Sequence, residues 1–201
     1  MNSDKNKVAS FENPANKEEK KLLTRIKQKD KDAFITAYDL YVDQIYRFVY
    51  FKISDKEEAQ DLTSTIFLKA WNYIQQNSIS DFKTVRGLLY RIARTTVIDY
   101  YRKNSGQENI TLDNEENPIQ ISDEKEKILE KAEKSSDMEL VESNLKKIKE
   151  EYREVIILKY LEDLSTSEIA NILDKSRGNT RVIIHRALNA LKKIIEEENE
   201  K

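Results

Sequence analysis

The sequence predicts an all-α protein, built as two small helical domains joined by an acidic linker. Three observations carry this. Apolar residues recur every three or four positions over long segments, the period of a helix with one buried face. Only 3 Gly and 2 Pro punctuate 201 residues, too few for a turn-rich β fold. Charged residues make up 36% of the chain and are blocked rather than mixed: two basic segments flank an acidic stretch, which the net charge of −2 conceals. The absence of Cys removes disulfides, thiolate metal sites and cysteine nucleophiles. No apolar run reaches the length of a membrane span and the N-terminus lacks the apolar core of a signal peptide, so a cytoplasmic chain without membrane insertion is expected.

In order along the chain, residues 1–16 are polar and aperiodic and are expected to be a disordered tail. A first helix is expected over residues 17–29, with Leu22, Leu23 and Ile26 on one face. A second, from Lys31 to Ile53, carries Phe34, Ala37, Tyr41, Ile45, Phe48 and Val49 at helical spacing. Ser54-Asp55-Lys56-Glu57 has the pattern of a capping box and opens a third helix with Ala59, Leu62, Ile66, Phe67, Ala70 and Trp71. Trp71, among apolar neighbours at helical spacing, reads as core. A polar loop, Gln75-Gln76-Asn77-Ser78, leads to a fourth helix over residues 82–103, closing a first domain at 17–103.

This fourth helix has two faces. Val85, Leu88, Leu89, Ile92, Ala93 and Thr96 share one side, whereas Arg86, Tyr90, Arg94, Val97 and Tyr101 form a stripe on the other. Its segment holds six basic residues against the single acid Asp99. Cations alternating with rings suit single-stranded nucleic acid, which presents phosphates and base faces. Residues 104–143 carry twelve acids against four bases, with Gly106 and Pro118, and read as an acidic flexible linker that turns helical from about Asp123.

The second domain, residues 144–201, opens with a periodic run from Leu145 to Leu161 that breaks at Glu162-Asp163-Leu164. Ser165-Thr166-Ser167-Glu168 is another capping box before a short helix. Asp174-Lys175-Ser176 is a tight turn in which Asp tolerates positive φ and Ser176 can cap the next helix, which is expected from Arg177 to about Glu197. Two helices on a three-residue turn, the second basic at its start, match a helix-turn-helix. Arg177, Asn179, Thr180 and Arg181 are then expected in a major groove, Asn179 and the arginines at base edges, Ser176 and Thr180 at phosphate. His185 has no second His to pair with and reads as a structural or phosphate-contact residue rather than a catalytic or metal-binding one. No Gly-rich phosphate loop, metal set or catalytic triad is discernible, so neither an enzyme nor a cofactor is expected.

Several motifs in this order resemble a bacterial RNA polymerase sigma factor, of the extracytoplasmic-function (ECF) group of the sigma-70 family. Asp32-Ala33-Phe34 with Tyr41 and Ile45-Tyr46-Arg47-Phe48 resembles the start of region 2. Glu58-Ala59-Gln60-Asp61-Leu62 and Phe67-Leu68-Lys69-Ala70-Trp71 resemble its core-binding segment. Leu89-Tyr90-Arg91-Ile92-Ala93-Arg94 and Ile98-Asp99-Tyr100-Tyr101-Arg102-Lys103 resemble its promoter-reading helix. Tyr152-Arg153-Glu154-Val155, Glu168-Ile169-Ala170 and His185-Arg186-Ala187 resemble region 4.

The resemblance implies that Asp61, Leu62, Thr65, Phe67, Leu68 and Trp71 contact core polymerase. Asn77, Ser78, Lys83, Arg86, Tyr90, Arg94, Tyr101, Arg102 and Lys103 would serve the minus-ten element, where an unstacked base is captured. Ser176, Arg177, Asn179, Thr180, Arg181, His185 and Arg186 would serve the minus-thirty-five element. The implied partners are core RNA polymerase, through the clamp helices of β′ and the flap of β, and promoter DNA, with an anti-sigma factor as a further candidate. Ser64-Thr65-Ile66, Asp174 and Val182-Ile183 depart from the family pattern, the last replacing polar or basic residues by apolar ones. A helix-turn-helix regulator acting without polymerase is the rival reading; it leaves the basic-aromatic helix without a role. The acidic linker is expected to compete for the basic patches and weaken binding of the isolated chain to duplex DNA.

Overall fold

The computed structural model describes residues 14–77, 82–104 and 143–199, all helices and their connections. The expected tail up to residue 13, Ser78 and the acidic stretch from 105 to 142 lie outside the described residues.

The first group is four helices: α1 (Pro14–Lys27), α2 (Lys31–Ile53), α3 (Lys56–Gln76) and α4 (Val85–Asn104). α1 starts three residues earlier than expected, at Pro14, whose fixed φ suits the first helical position and whose missing N–H would have had no helical partner. It stops at Lys27, and Lys29 then takes φ 62° in the turn. Asp30 caps α2, accepting from the N–H groups of Asp32 and Ala33 at 3.0 and 3.1 Å. These bonds, with Arg25 beside them, hold its carboxyl below the usual carboxylate range.

The expected capping box at Ser54 is corrected. Ser54 ends α2 in a left-handed conformation, φ 61°, and Asp55 caps α3 by accepting from Glu58 N–H at 3.0 Å. α2 runs so far that Ser54 is spent reversing the chain, and the next residue inherits the cap. Thr84 starts α4, its hydroxyl accepting from Gly87 N–H at 3.0 Å. Ile26, Ala37, Ile45, Phe48, Ala59, Ile66, Leu88, Leu89 and Ala93 fill the space between these helices.

In the second group the periodic run 145–161 is divided rather than one helix. A single turn at 143–146 ends before Lys149, whose backbone is extended, and α5 (Glu150–Ile156) follows. Its last stretch, Ile157–Leu161, widens to a π-helix closed by Glu162 N–H to the Ile157 carbonyl at 3.0 Å. One residue too many for an α-helix is absorbed there, a feature that often marks functional sites. The second capping box is as expected: Ser165 and Glu168 exchange bonds at 3.2 and 2.8 Å and open α6 (Thr166–Leu173). Asp174 takes φ 55°, Ser176 Oγ accepts from Asn179 N–H at 3.2 Å, and α7 (Arg177–Asn199) follows. Ala170 of α6 is buried. The buried apolar residues of both groups form one continuous cluster, because α4 and α2 pack against α5 and α6. No helix among the described residues is long and apolar enough to cross a membrane.

Candidate nucleic-acid interface

Two basic faces were expected, and the structure treats them differently. On α7 the turn orients the helix so that Thr180, Ile183 and Ala187 face the core. This leaves Arg177, Asn179, Arg181, Val182, His185 and Arg186 in an exposed row. Asn189 Nδ2 lies 3.3 Å from His185 Nδ1, one turn on. Thr180 is corrected: it is fully buried and donates its hydroxyl to the Ser176 carbonyl at 3.0 Å, so it cannot reach a phosphate. Periodicity was the available signal, since Thr180 stands three and seven positions before Ile183 and Ala187. Ser176 is exposed, but its side-chain oxygen is spent on the cap. Of the apolar departures, Ile183 is core and Val182 projects from the exposed row, 46% accessible.

On α4 the basic-aromatic stripe faces inward, against the second helical group. Tyr90, expected on an outer face, has no exposed surface. Its ring lies edge-on to Phe48 and its hydroxyl donates to Glu162 Oε2 at 2.9 Å. Burial, reinforced by the neighbouring carboxylate, pushes its ionisation well above the ordinary tyrosine value. Arg86 donates to the Glu162 carbonyl oxygen and stands 5.9 Å from the Tyr90 ring centre. Arg94 Nε lies 3.2 Å from one oxygen of Glu154 and 3.3 Å from the other. Val97, in the same stripe, is buried too. The sequence showed two faces of α4 but not that a second apolar surface would cover the one it assigned to solvent.

The covering residues were missed. Glu162 receives Arg47 as a two-pronged pair at 2.8 and 3.0 Å, and its side chain has no exposure. The bond to Glu162 raises the ionisation of Arg47. Lys52, also buried, reaches Glu150 at 3.0 Å and Glu154 at 3.5 Å. Tyr101 is half-buried, donates its hydroxyl to the Lys52 carbonyl, and is pushed above its ordinary value by burial. Arg102 is half-buried, 3.9 Å from Asp99. Asn77, Lys83 and Lys103 remain exposed, Asn77 donating from its side chain to the Tyr73 carbonyl at 3.1 Å.

A third surface lies on α2 and α3. Lys31, Phe34, Ile35, Phe67, Leu68 and Trp71 line an open groove of about 320 Å³. Trp71 is half-buried with its ring 5.0 Å from that of Phe34, and Phe67 is buried beneath Tyr38 at 4.8 Å. Leu68 and Ile35 are 61% and 53% exposed, unusual for large apolar side chains on one continuous surface. Asp61 and Thr65 continue the exposed row of Leu68 along α3, and Leu62 is half-buried beside them.

An exposed apolar groove on a helical bundle, a basic α4 and a helix-turn-helix in this order fit a transcription-initiation subunit, and comparison with known proteins agrees. The family described as Sigma-70 region 2 matches residues 37–107 and Sigma-70, region 4 matches residues 145–193. The chain is 30% identical over 187 residues to the ECF RNA polymerase sigma factor SigW of Bacillus subtilis strain 168, covering 87% of this chain and 95% of that one. It is 31% identical over 166 residues to RNA polymerase sigma factor YlaC of the same organism, covering 82% and 93%. Among solved structures, CnrH in complex with the cytosolic domain of CnrY superposes with TM-score 0.63 at 20% identity, covering 89% of this chain and 97% of that one. RpoE of Bartonella quintana in complex with the anti-sigma factor NepR gives the same TM-score and identity, covering 81% and 96%. The chain belongs to the sigma-70 family, in its ECF group, and is an RNA polymerase sigma factor.

Proposed function

We propose that three surfaces divide the work of this sigma factor. The groove of Phe34, Ile35, Phe67, Leu68 and Trp71, with Asp61, Leu62 and Thr65 beside it, docks on the clamp helices of the polymerase β′ subunit. The helix-turn-helix module, which also meets the flap of β, lays Arg177, Asn179, Arg181, His185 and Arg186 into the minus-thirty-five duplex. Arg86, Tyr90 and Arg94 of α4, with Asn77, Ser78, Lys83, Tyr101, Arg102 and Lys103, serve the minus-ten element as it opens.

The observation that carries this reading is the exposed row on α7. Arg and Asn side chains stand there at helical spacing with their backs to a packed core, which is what major-groove readout requires. The chain itself performs no chemistry in this scheme and works in the cytoplasm. An anti-sigma factor is a further candidate partner, by analogy with NepR bound to the Bartonella quintana RpoE. Run-off transcription with purified core enzyme tests the reading: the chain should confer initiation at a promoter that core alone ignores. Failure to bind core would leave the rival, a helix-turn-helix regulator acting alone.

A further inference from the structure

We propose that Gly178 and Val182 form an apolar notch in the basic row of α7 and read the C5-methyl group of a thymine in the minus-thirty-five duplex. The inference rests on the minus-thirty-five reading of α7 given above and adds a base preference to it.

The row is otherwise polar, with Arg177, Asn179, Arg181, His185 and Arg186 exposed along it. Val182 is 46% exposed among them. Over these turns Thr180, Ile183 and Ala187 make the buried face, so the core does not call for an apolar side chain at 182. Gly178 stands one turn earlier on the same face. A methyl group there would meet nothing within 4 Å beyond its chain neighbours and the backbone of its own helix. Its backbone is helical. Neither crowding nor conformation therefore requires glycine, which weakens a helix relative to alanine. Its bareness leaves a gap instead. Helical side chains lean toward the N-terminus, so Val182 lies along the edge of that gap.

A side chain without donors or acceptors can tell bases apart only by apolar contact. Thymine presents a methyl group in the major groove and cytosine does not. The polar edge of a G·C pair would be dried against Val182 with no partner, which disfavours it further. Valine is stiff at χ1 in a helix, so little side-chain freedom is lost on contact. Arg181 on one flank and Arg186 on the other supply the cations that hold the neighbouring phosphates.

The test uses holoenzyme assembled from core polymerase and the full chain. Selection from duplexes randomised across the upstream element should enrich thymine at one position with the wild type. Val182→Ser should lose that preference and keep the others. In the selected duplex, deoxyuridine in place of that thymine should weaken wild-type binding by about fourfold, the worth of one buried methyl group. The same exchange should not affect Val182→Ser. Gly178→Ala fills the gap, so it should bind the thymine duplex more weakly while melting no lower than the wild type. Equal wild-type affinity for the two duplexes overturns the proposal, and so does an undiminished deoxyuridine penalty in Val182→Ser. Wild-type affinity in Gly178→Ala overturns the notch. The minus-thirty-five reading fails separately, if the wild type enriches no upstream element at all, and the methyl reading falls with it.

Discussion

Arg47 and Glu162, 115 residues apart in sequence, meet through two parallel hydrogen bonds of 2.8 and 3.0 Å. The burial is unequal: Glu162 has none of its side chain exposed, whereas Arg47 keeps 40%. The cost of drying the pair falls on the acid, so removing the arginine harms more than an exposed ion pair would suggest. Arg47→Ala should destabilise the chain by about 1.5–3 kcal/mol, the range for hydrogen bonds to charged groups. A double-mutant cycle with Glu162→Leu should show coupling well above ~0.5 kcal/mol, the usual limit for independent sites. Urea denaturation measures both, and additive losses would show the pair to be a bystander.

On α7, two adjacent residues should fail in different ways. Arg181 is exposed and Thr180 is fully buried. Arg181→Ala should leave the melting temperature alone, weaken promoter binding by the holoenzyme and lower its salt slope by about 1 if the contact is to phosphate. Thr180→Val keeps the shape and loses the hydroxyl bond to the Ser176 carbonyl, costing about 1 kcal/mol of stability. Its salt slope should not change. Reversed behaviour would mean that α7 meets DNA by another face.

What could be read beforehand follows from where the information sits. The bounds of α2, the Ser165–Glu168 box and the left-handed Asp174 are local, fixed by spacing and turn chemistry within a few residues. The covering of α4 is not local, since it depends on the distant α5 and α6. Even so, a trace was present. Lys52 stands four and seven positions after Phe48 and Ile45, and Glu154 four and seven before Leu158 and Leu161, each a charge in register with apolar residues. Opposite charges interrupting two apolar faces are what a buried pair requires, and Lys52 and Glu154 do meet at 3.5 Å. The Arg47–Glu162 pair left no such trace, because it depends on the π-helical advance of the chain.

Alkali should loosen the contact between the modules before it melts the helices. Tyr90 and Tyr101 are held above the ordinary tyrosine value of 10.0 by burial, and Tyr41 is pushed up to about 12 by burial and Glu19. A group whose ionisation is raised by folding stabilises the fold fully below its unfolded value, and that contribution is lost as pH climbs through the folded one. The loss should therefore begin above about pH 10. A Tyr90 phenolate would face the Glu162 carboxylate, so Tyr90→Phe should cost about 1 kcal/mol at neutral pH yet make the contact less alkali-sensitive. Scattering and tyrosine absorbance followed together from about pH 8 to 12 check this; expansion at the same pH in both proteins would exonerate Tyr90.

The groove on α2 and α3 offers a cleaner separation of folding from function, because neighbours in sequence differ in burial. Leu68 is 61% exposed and Phe67 only 4%. Phe67 packs edge-on to Phe34 and Tyr38 at 6.4 and 4.8 Å, so Phe67→Ala should cost about 3 kcal/mol and lose activity through the fold. Leu68→Asp touches little in the free chain, and its effect on stability should stay within about 0.5 kcal/mol. In the complex it would set a charge at the centre of an apolar contact. Affinity for core polymerase should then fall by tenfold or more, as for a central anchor residue costing about 1.4 kcal/mol or above. Ile35→Asp, across the groove, should behave alike, being 53% exposed. Titration of labelled core enzyme with each variant, beside its thermal melt, decides the matter. Wild-type affinity in both aspartate variants would remove the groove from the polymerase contact.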